Sequence, residues 1–518
     1  VFATSIAIAI VCALAPLTGC SRSAAAADRR ANVVVIALDT LRADHLGCYG
    51  YQRGTSPNID HFASESFVFE SAIAAAPWTA PALISIMTSL YPAVHGVRDT
   101  PHQWRMSDRV TTLAEILKAR GYTTAAFTEG GYARGDFGLD QGFDLYPANP
   151  EDTTDDHSIL GQASRIVANT DRTLDWLRTQ GEQPFFLFFH TYEIHAPYRA
   201  PDECVRRFVP EFDEVAEHEA VRRIIESWNA TRTIDCESYR TMTLHRRRCH
   251  TFAELPKMDE RWKSHERAKE LGCGTPELFQ DAVFQDHLLG LYDGGIVHAD
   301  EQVERLFSEL RARRMLENTI VVIVSDHGEG LGQHDELEHG TVLYPEILRV
   351  VLMMRVPESL RRGLPAPGHV EPLVRTVDVV PTLLELLGIR DKSLPLQGRS
   401  LLPLMRGEME ERVAFSHSRT MAVEEDKQEC VRSGSWHMIW DRGTEAAQLF
   451  DLRSDPGALH NVAGGHADVV AELRHLLDEQ RARNETLHRI VGGDAQPVAL
   501  DDTAKRELHG LGYLGSDE

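Results

Sequence analysis

Two distant stretches of the chain share a form that few folds accommodate. Val321-Val322-Ile323-Val324 runs straight into Ser325-Asp326-His327-Gly328-Glu329, and Asn32-Val33-Val34-Val35-Ile36-Ala37-Leu38 runs into Asp39-Thr40. An unbroken apolar run of this kind reads as a strand buried on both faces, as in a parallel sheet covered by helices. Each run stops abruptly at ionisable residues. In an α/β sheet, ligands collect at the carboxyl ends of the strands. If the two strands lie side by side and parallel, Asp39, Asp326 and His327 meet at one edge. Two carboxylates and an imidazole are a donor set for a divalent metal. Taken singly, either aspartate reads equally well as a helix cap or a turn residue. The repetition of the form is what favours a site.

A third run, Phe185-Phe186-Leu187-Phe188-Phe189, ends in His190-Thr191-Tyr192-Glu193-Ile194-His195. A histidine just after a strand is often only hydrogen-bonded and structural. Between these strands, Pro77-Trp78-Thr79-Ala80-Pro81 precedes an apolar helix expected over 82–90. Pro81 suits the first turn, where its missing N–H costs nothing. Thr79 then lies just before a helix N-terminus, where amides and the macrodipole favour an anion. Further helices are expected over 112–120, 300–315 and 377–387, and strands over 123–128 and 349–356. Thr55-Ser56-Pro57 opens another helix, with Asn58 or Asp60 as its cap. This alternation predicts an α/β fold with a doubly wound, mostly parallel sheet. Beyond about 394 the pattern changes to antiparallel strands at 436–440 and 447–452 and a helix at 468–483. The expected domains are therefore 32–392, carrying the site, and a small α+β domain over 393–518.

The net charge of −24 over 518 residues excludes nucleic acid or an anionic membrane surface as the main partner. Residues 1–20 read as a secretory signal ending in Leu17-Thr18-Gly19-Cys20, which resembles a bacterial lipobox. Residues 21–31 are then a tether, membrane contact is through a lipid on Cys20 alone, and the body is extracytoplasmic, periplasmic or at the outer membrane. Residues 201–284 form an insertion of mixed charge that carries Cys204, Cys236, Cys249 and Cys273. In an oxidising compartment four such cysteines suggest two disulfides, of unreadable pairing.

Taken in order, these residues resemble the sulfatase family of the alkaline-phosphatase superfamily. Residues 32–51 are similar to its first metal block, 76–97 to its nucleophile block, 319–340 to its second metal block, and 436–461 to its small C-terminal domain. The resemblance implies an alkaline-phosphatase-like fold and one divalent ion (Ca, Mg, Mn or Zn) on Asp39, Thr79, Asp326 and His327. It implies catalytic roles for Thr79, His195 and His339. A second metal would draw on His334, Asp293 or His298. The implied substrate is a sulfated or phosphorylated small molecule, glycan or envelope component. The departures are equally specific. Thr79-Ala80-Pro81-Ala82-Leu83 stands where a sulfatase carries Cys or Ser, then x-Pro-x-Arg, so formylglycine cannot form. Thr40 stands for a metal-block Asp, and His327 for the usual Asn. The expectation is an ester hydrolase with a metal-activated threonine. The alternatives are an envelope phosphotransferase or phosphodiesterase, and an inactive binding protein of the same fold.

Overall fold

Strand β1 (Asn32–Leu38) lies inside a seven-stranded sheet, flanked by strands from far along the chain. The computed structural model describes residues 30–97, 104–147, 165–213, 281–418 and 428–511, with single positions at 220, 223 and 241. The signal-like segment and most of the insertion lie outside these residues, as do Cys20, Cys236, Cys249 and Cys273.

The other strands are β2 (Phe67–Phe69), β3 (Thr123–Phe127), β4 (Phe185–Thr191), β5 (Thr319–Val324), β6 (Leu352–Arg355) and β7 (His369–Val370). Their order is β7-β2-β6-β5-β1-β4-β3. β1 runs parallel to both β4 and β5, and β3 runs parallel to β4. β6 runs antiparallel to β5 and β2, so the sheet is mixed rather than wholly parallel. The reason is the connection from β5 to β6. It contains only the short turns Gln333–Asp335 and Pro345–Leu348, too little helix for a parallel crossover.

Both faces of the sheet are covered, which explains the unbroken apolar runs. Val33, Val35 and Ala37 join one core with helix α1 (Thr79–Thr88). Val34, Ile36 and Leu38 join the opposite core with α2 (Arg165–Thr179) and α3 (Ala282–Ala312). The helix expected over 300–315 is thus the second half of a 31-residue helix. Neither Asn58 nor Asp60 caps the helix Pro57–Ser64. Asp300, reaching over from α3, accepts from the amides of Asn58 (3.1 Å) and Ile59 (2.7 Å).

The small domain is a four-stranded antiparallel sheet of β8 (Val413–His417), β9 (Gln428–Ser433), β10 (Trp436–Asp441) and β11 (Ala446–Asp451). Leu473 and Leu477 of α4 (Ala467–Val491) close its core against Val431, Met438 and Leu449. Cys204 is a free, buried thiol, so the bridge expected at it is not formed.

Candidate active site

Register brings the site together. On β1, Ala37 stands opposite His190 of β4 and Val324 of β5. Asp39 and Asp326 therefore both lie two residues beyond this level, side by side at the carboxyl edge, with His190 two residues back on β4. All three are buried, and their ligand atoms lie within 4.8 Å of one another. His190 Nε2 is 3.2 Å from Asp39 Oδ2. His327 Nε2 is 3.4 Å from Asp326 Oδ2 and 3.8 Å from Asp39 Oδ1. Its Nδ1–H donates to Gly328 O at 2.9 Å, which turns the Nε2 lone pair towards the carboxylates. Gly328 is required where it stands, because a Cβ there would collide with Glu346 O.

The carboxylates are arranged unevenly. Asp326 Oδ1 accepts from the amides of Thr40 (3.3 Å) and His327 (2.9 Å). Asp326 Oδ2 and Asp39 Oδ1 are buried without a hydrogen-bond partner. Burial first, and the Asp326 charge second, hold the Asp39 carboxyl well above the usual carboxylate range. Burial draws the His327 imidazole down, but Asp326 and Asp39 together outweigh it and raise it. His190 is held down to about 4 by burial. Two orphaned carboxylate oxygens and two imidazole nitrogens facing one space, with no basic side chain among them, fit a divalent cation. Its charge would offset the repulsion that this donor set otherwise carries.

Thr79 is the first residue of α1, one place further into the helix than the sequence suggests, and all ten residues of α1 are buried. Its Oγ1 is 3.4 Å from His327 Nε2. The His339 ring centroid is 4.4 Å from that of His327 and 4.8 Å from that of His195. His339 Nδ1 donates to Glu329 Oε1 at 3.0 Å. His195 Nδ1 donates to Ala196 O, and burial, then His339, hold this imidazole well below its usual value.

The structure thus gathers Asp39, Thr79, His195, Asp326, His327 and His339. It does not gather a second metal set. His334 lies between Glu346 Oε1 (2.6 Å) and Ala458 O (3.0 Å), stacked on Tyr344. Asp293 is taken up by His45, Tyr51 and Arg53. His298 donates to Glu193 at 2.7 Å and is buried. Among the described residues the Asp39, His190, Asp326 group alone has metal-site geometry. His190 is the residue that reading the sequence as structural misses. Its signal is its position near the end of an apolar strand, where its Nε2 comes within 3.2 Å of Asp39 Oδ2.

The sulfatase family model matches residues 31–389, and the model described as N-sulphoglucosamine sulphohydrolase, C-terminal, matches residues 333–483. The chain is 26% identical over 429 residues to the iduronate 2-sulfatase of Mus musculus, spanning 73% of this chain and 71% of that protein. It is 23% identical over 521 residues to the delta 4,5-hexuronate-2-O-sulfatase of Bacteroides thetaiotaomicron, covering 94% and 96%. The phosphonate monoester hydrolase of Agrobacterium radiobacter superposes with a TM-score of 0.65 at 21% identity, covering 88% of this chain and 96% of that one. A structure solved in complex with D-glucosamine-2-N,6-O-disulfate gives 0.66 at 21% identity, covering 88% and 98%. These superpositions show the alkaline-phosphatase-like fold, with its mixed, mostly parallel sheet and small antiparallel C-terminal domain.

Proposed function

The chain belongs to the sulfatase family, and we propose from that premise that it is a metal-dependent ester hydrolase whose nucleophile is the Thr79 hydroxyl. In this reading phosphoric and phosphonic esters are turned over faster than sulfuric esters. The observation that carries it is the placement of Thr79: first residue of a buried helix, 3.4 Å from His327 Nε2, beside the two orphaned carboxylates.

Asp39, Asp326 and His327 would hold the cation, joined by His190 and by Thr79 Oγ1. Such an ion supplies Lewis-acid chemistry, easing deprotonation of a hydroxyl and drawing charge from ester oxygens. The remaining work falls to the chain itself. Thr79 Oγ1 attacks the phosphorus or sulfur in line, and the ester's alcohol leaves. The start of α1, with the positive end of its dipole, would face the oxygens of the transferred group. Glu329 fixes His339 through Nδ1, and Ala196 O fixes His195 the same way, so each presents Nε2 for proton transfer. Water then opens the threonine ester. This second in-line step suits phosphorus. A sulfuryl group leaves a simple threonine oxygen less readily, and with Thr at position 79 there is no aldehyde hydrate to assist it. The same reading tethers the body outside the cytoplasm through Cys20, on the strength of the Leu17-Thr18-Gly19-Cys20 motif.

The test is a panel of aryl sulfates, phosphate monoesters, phosphate diesters and phosphonate monoesters. Thr79→Ala should lower kcat/KM on the best substrate by about a thousandfold or more, while Thr79→Ser keeps part of it. Near-full turnover by Thr79→Ala sinks the nucleophile assignment. A sulfate ester as the best substrate overturns the proposed order.

A further inference from the structure

Thr40 holds an unusual backbone. It is a β-branched residue at φ 56°, in the left-handed region that favours glycine. It stands directly between Asp39 and the rest of its loop, and its amide is one of the two that hold Asp326 Oδ1. Such a conformation persists only where surrounding contacts impose it. One contact is local, Thr40 Oγ1 donating to Asp39 O at 2.8 Å; the long-range one comes from Tyr292, 252 residues away on α3 and fully buried. Its hydroxyl donates to Thr40 O at 2.7 Å and accepts from Arg42 N at 2.9 Å, spanning the turn from both sides. The ring is wedged edge-on against His45 and Tyr198, so the hydroxyl has a fixed aim. Burial keeps the phenol protonated and able to donate.

We propose that Tyr292 is a positioning residue for the metal-binding carboxylate Asp326, acting through the left-handed turn at Thr40. The hydroxyl fixes the turn, and the turn aims the Thr40 amide. That amide, with the one from His327, occupies Asp326 Oδ1 and leaves Oδ2 facing Asp39 and His327. Without the clamp Thr40 relaxes to negative φ, its amide turns away, and Asp326 is free to rotate. This inference rests on the reading of Asp39, Asp326 and His327 as metal ligands. It adds a residue that touches neither the ion nor the substrate.

The experiment uses the metal-stripped full chain, titrated with Ca2+ alone and with Mn2+ alone. Tyr292→Phe keeps the ring and removes one oxygen. It should weaken binding of the ion by about tenfold or more, the usual effect of losing an outer-shell partner. Glycine adopts φ 56° without a clamp. Adding Thr40→Gly to Tyr292→Phe should therefore restore most of the lost affinity. A merely structural role for the hydroxyl predicts no such rescue. In parallel, hydrogen exchange at the amide of position 40 should quicken in Tyr292→Phe and slow again in the double variant. Affinity within twofold of wild type for Tyr292→Phe overturns the proposal, and so does a double variant no better than Tyr292→Phe. If wild type and Asp326→Ala alike bind neither ion, it is the metal reading that fails. The exchange rates then decide the clamp on their own: quickening that the double variant reverses upholds it, and unchanged rates overturn it.

Discussion

Asp378 and Asp326 are equally hidden from water, at 0% and 1% exposure, yet they have opposite surroundings. Asp378 sits at the start of the helix Val379–Leu386, against Arg412 just before β8. It accepts from Arg375 N (3.0 Å), Arg375 Nη2 (2.6 Å), Arg412 Nη1 (2.9 Å) and Arg399 N (2.8 Å). Asp326, at the carboxyl edge of the main sheet, has a second carboxylate for a neighbour. Among the described residues no lysine or arginine pairs with it or with Asp39. A buried carboxylate surrounded by guanidinium groups is a fastening within the fold. A buried carboxylate facing another, with an oxygen left over, fits a cation that the chain does not itself supply.

The comparison breaks most sharply at the metal. Asp326→Ala should lose divalent-ion binding by about a thousandfold while the metal-free protein stays as stable as wild type or gains slightly, since a buried like-charge neighbour is removed. Equal metal content in both proteins by elemental analysis would show that the two regions do not differ in this way. Asp378→Ala should do the reverse. Stranding Arg375 and Arg412 in the interior should cost about 3–5 kcal/mol in urea unfolding, with metal stoichiometry unchanged.

Glu129 sharpens the contrast in its dependence on pH. Burial pushes this carboxyl up from 4.5 to about 7. A carboxyl raised on folding stabilises the protein fully below its unfolded value. That contribution is lost as pH rises through the folded value. Stability from this group should therefore fall between about pH 4.5 and pH 7, by roughly 3 kcal/mol in all. Glu129→Gln should flatten that part of the profile in urea titrations. An identical slope in the variant would assign the dependence to other groups. The smallest effect is expected at Arg399→Ala. The side chain is 63% exposed and pairs with Glu410 at 2.6 Å, and such a pair adds less than about 0.5 kcal/mol. The amide of position 399 still reaches Asp378 in the variant. A loss as large as that of Asp378→Ala would show that burial is not what separates fastening pairs from surface ones.

Much of the site was legible from local pattern because strand ends mark themselves. An apolar run that ends in Asp39, or in Asp326-His327, is written in consecutive residues, and parallel register does the rest. Thr79 was legible for the same reason, through a proline at the start of a helix. His190 was not, because a histidine that closes a strand looks the same whether it meets a carboxylate or a carbonyl. The helix cap at Pro57–Ser64 was misread because its acceptor, Asp300, comes from 242 residues away. The second-metal candidates failed for a related reason. His334, Asp293 and His298 carry the right atoms, but each spends them on a different neighbour.

The sequence by itself determined the layers, the strand that each acidic residue leaves from, and the family, because these rest on periodicity and on motifs within a few residues. It also puts threonine at position 79. Only the tertiary structure decided which buried charges are paired and which are left over. It reversed β6, set the His190 ring against Asp39, and placed Tyr292 over the turn at Thr40. Hydrogen bonds act over about 3 Å, and partners at this site such as Thr40 and Asp326 are separated by 286 residues. No local pattern carries that information.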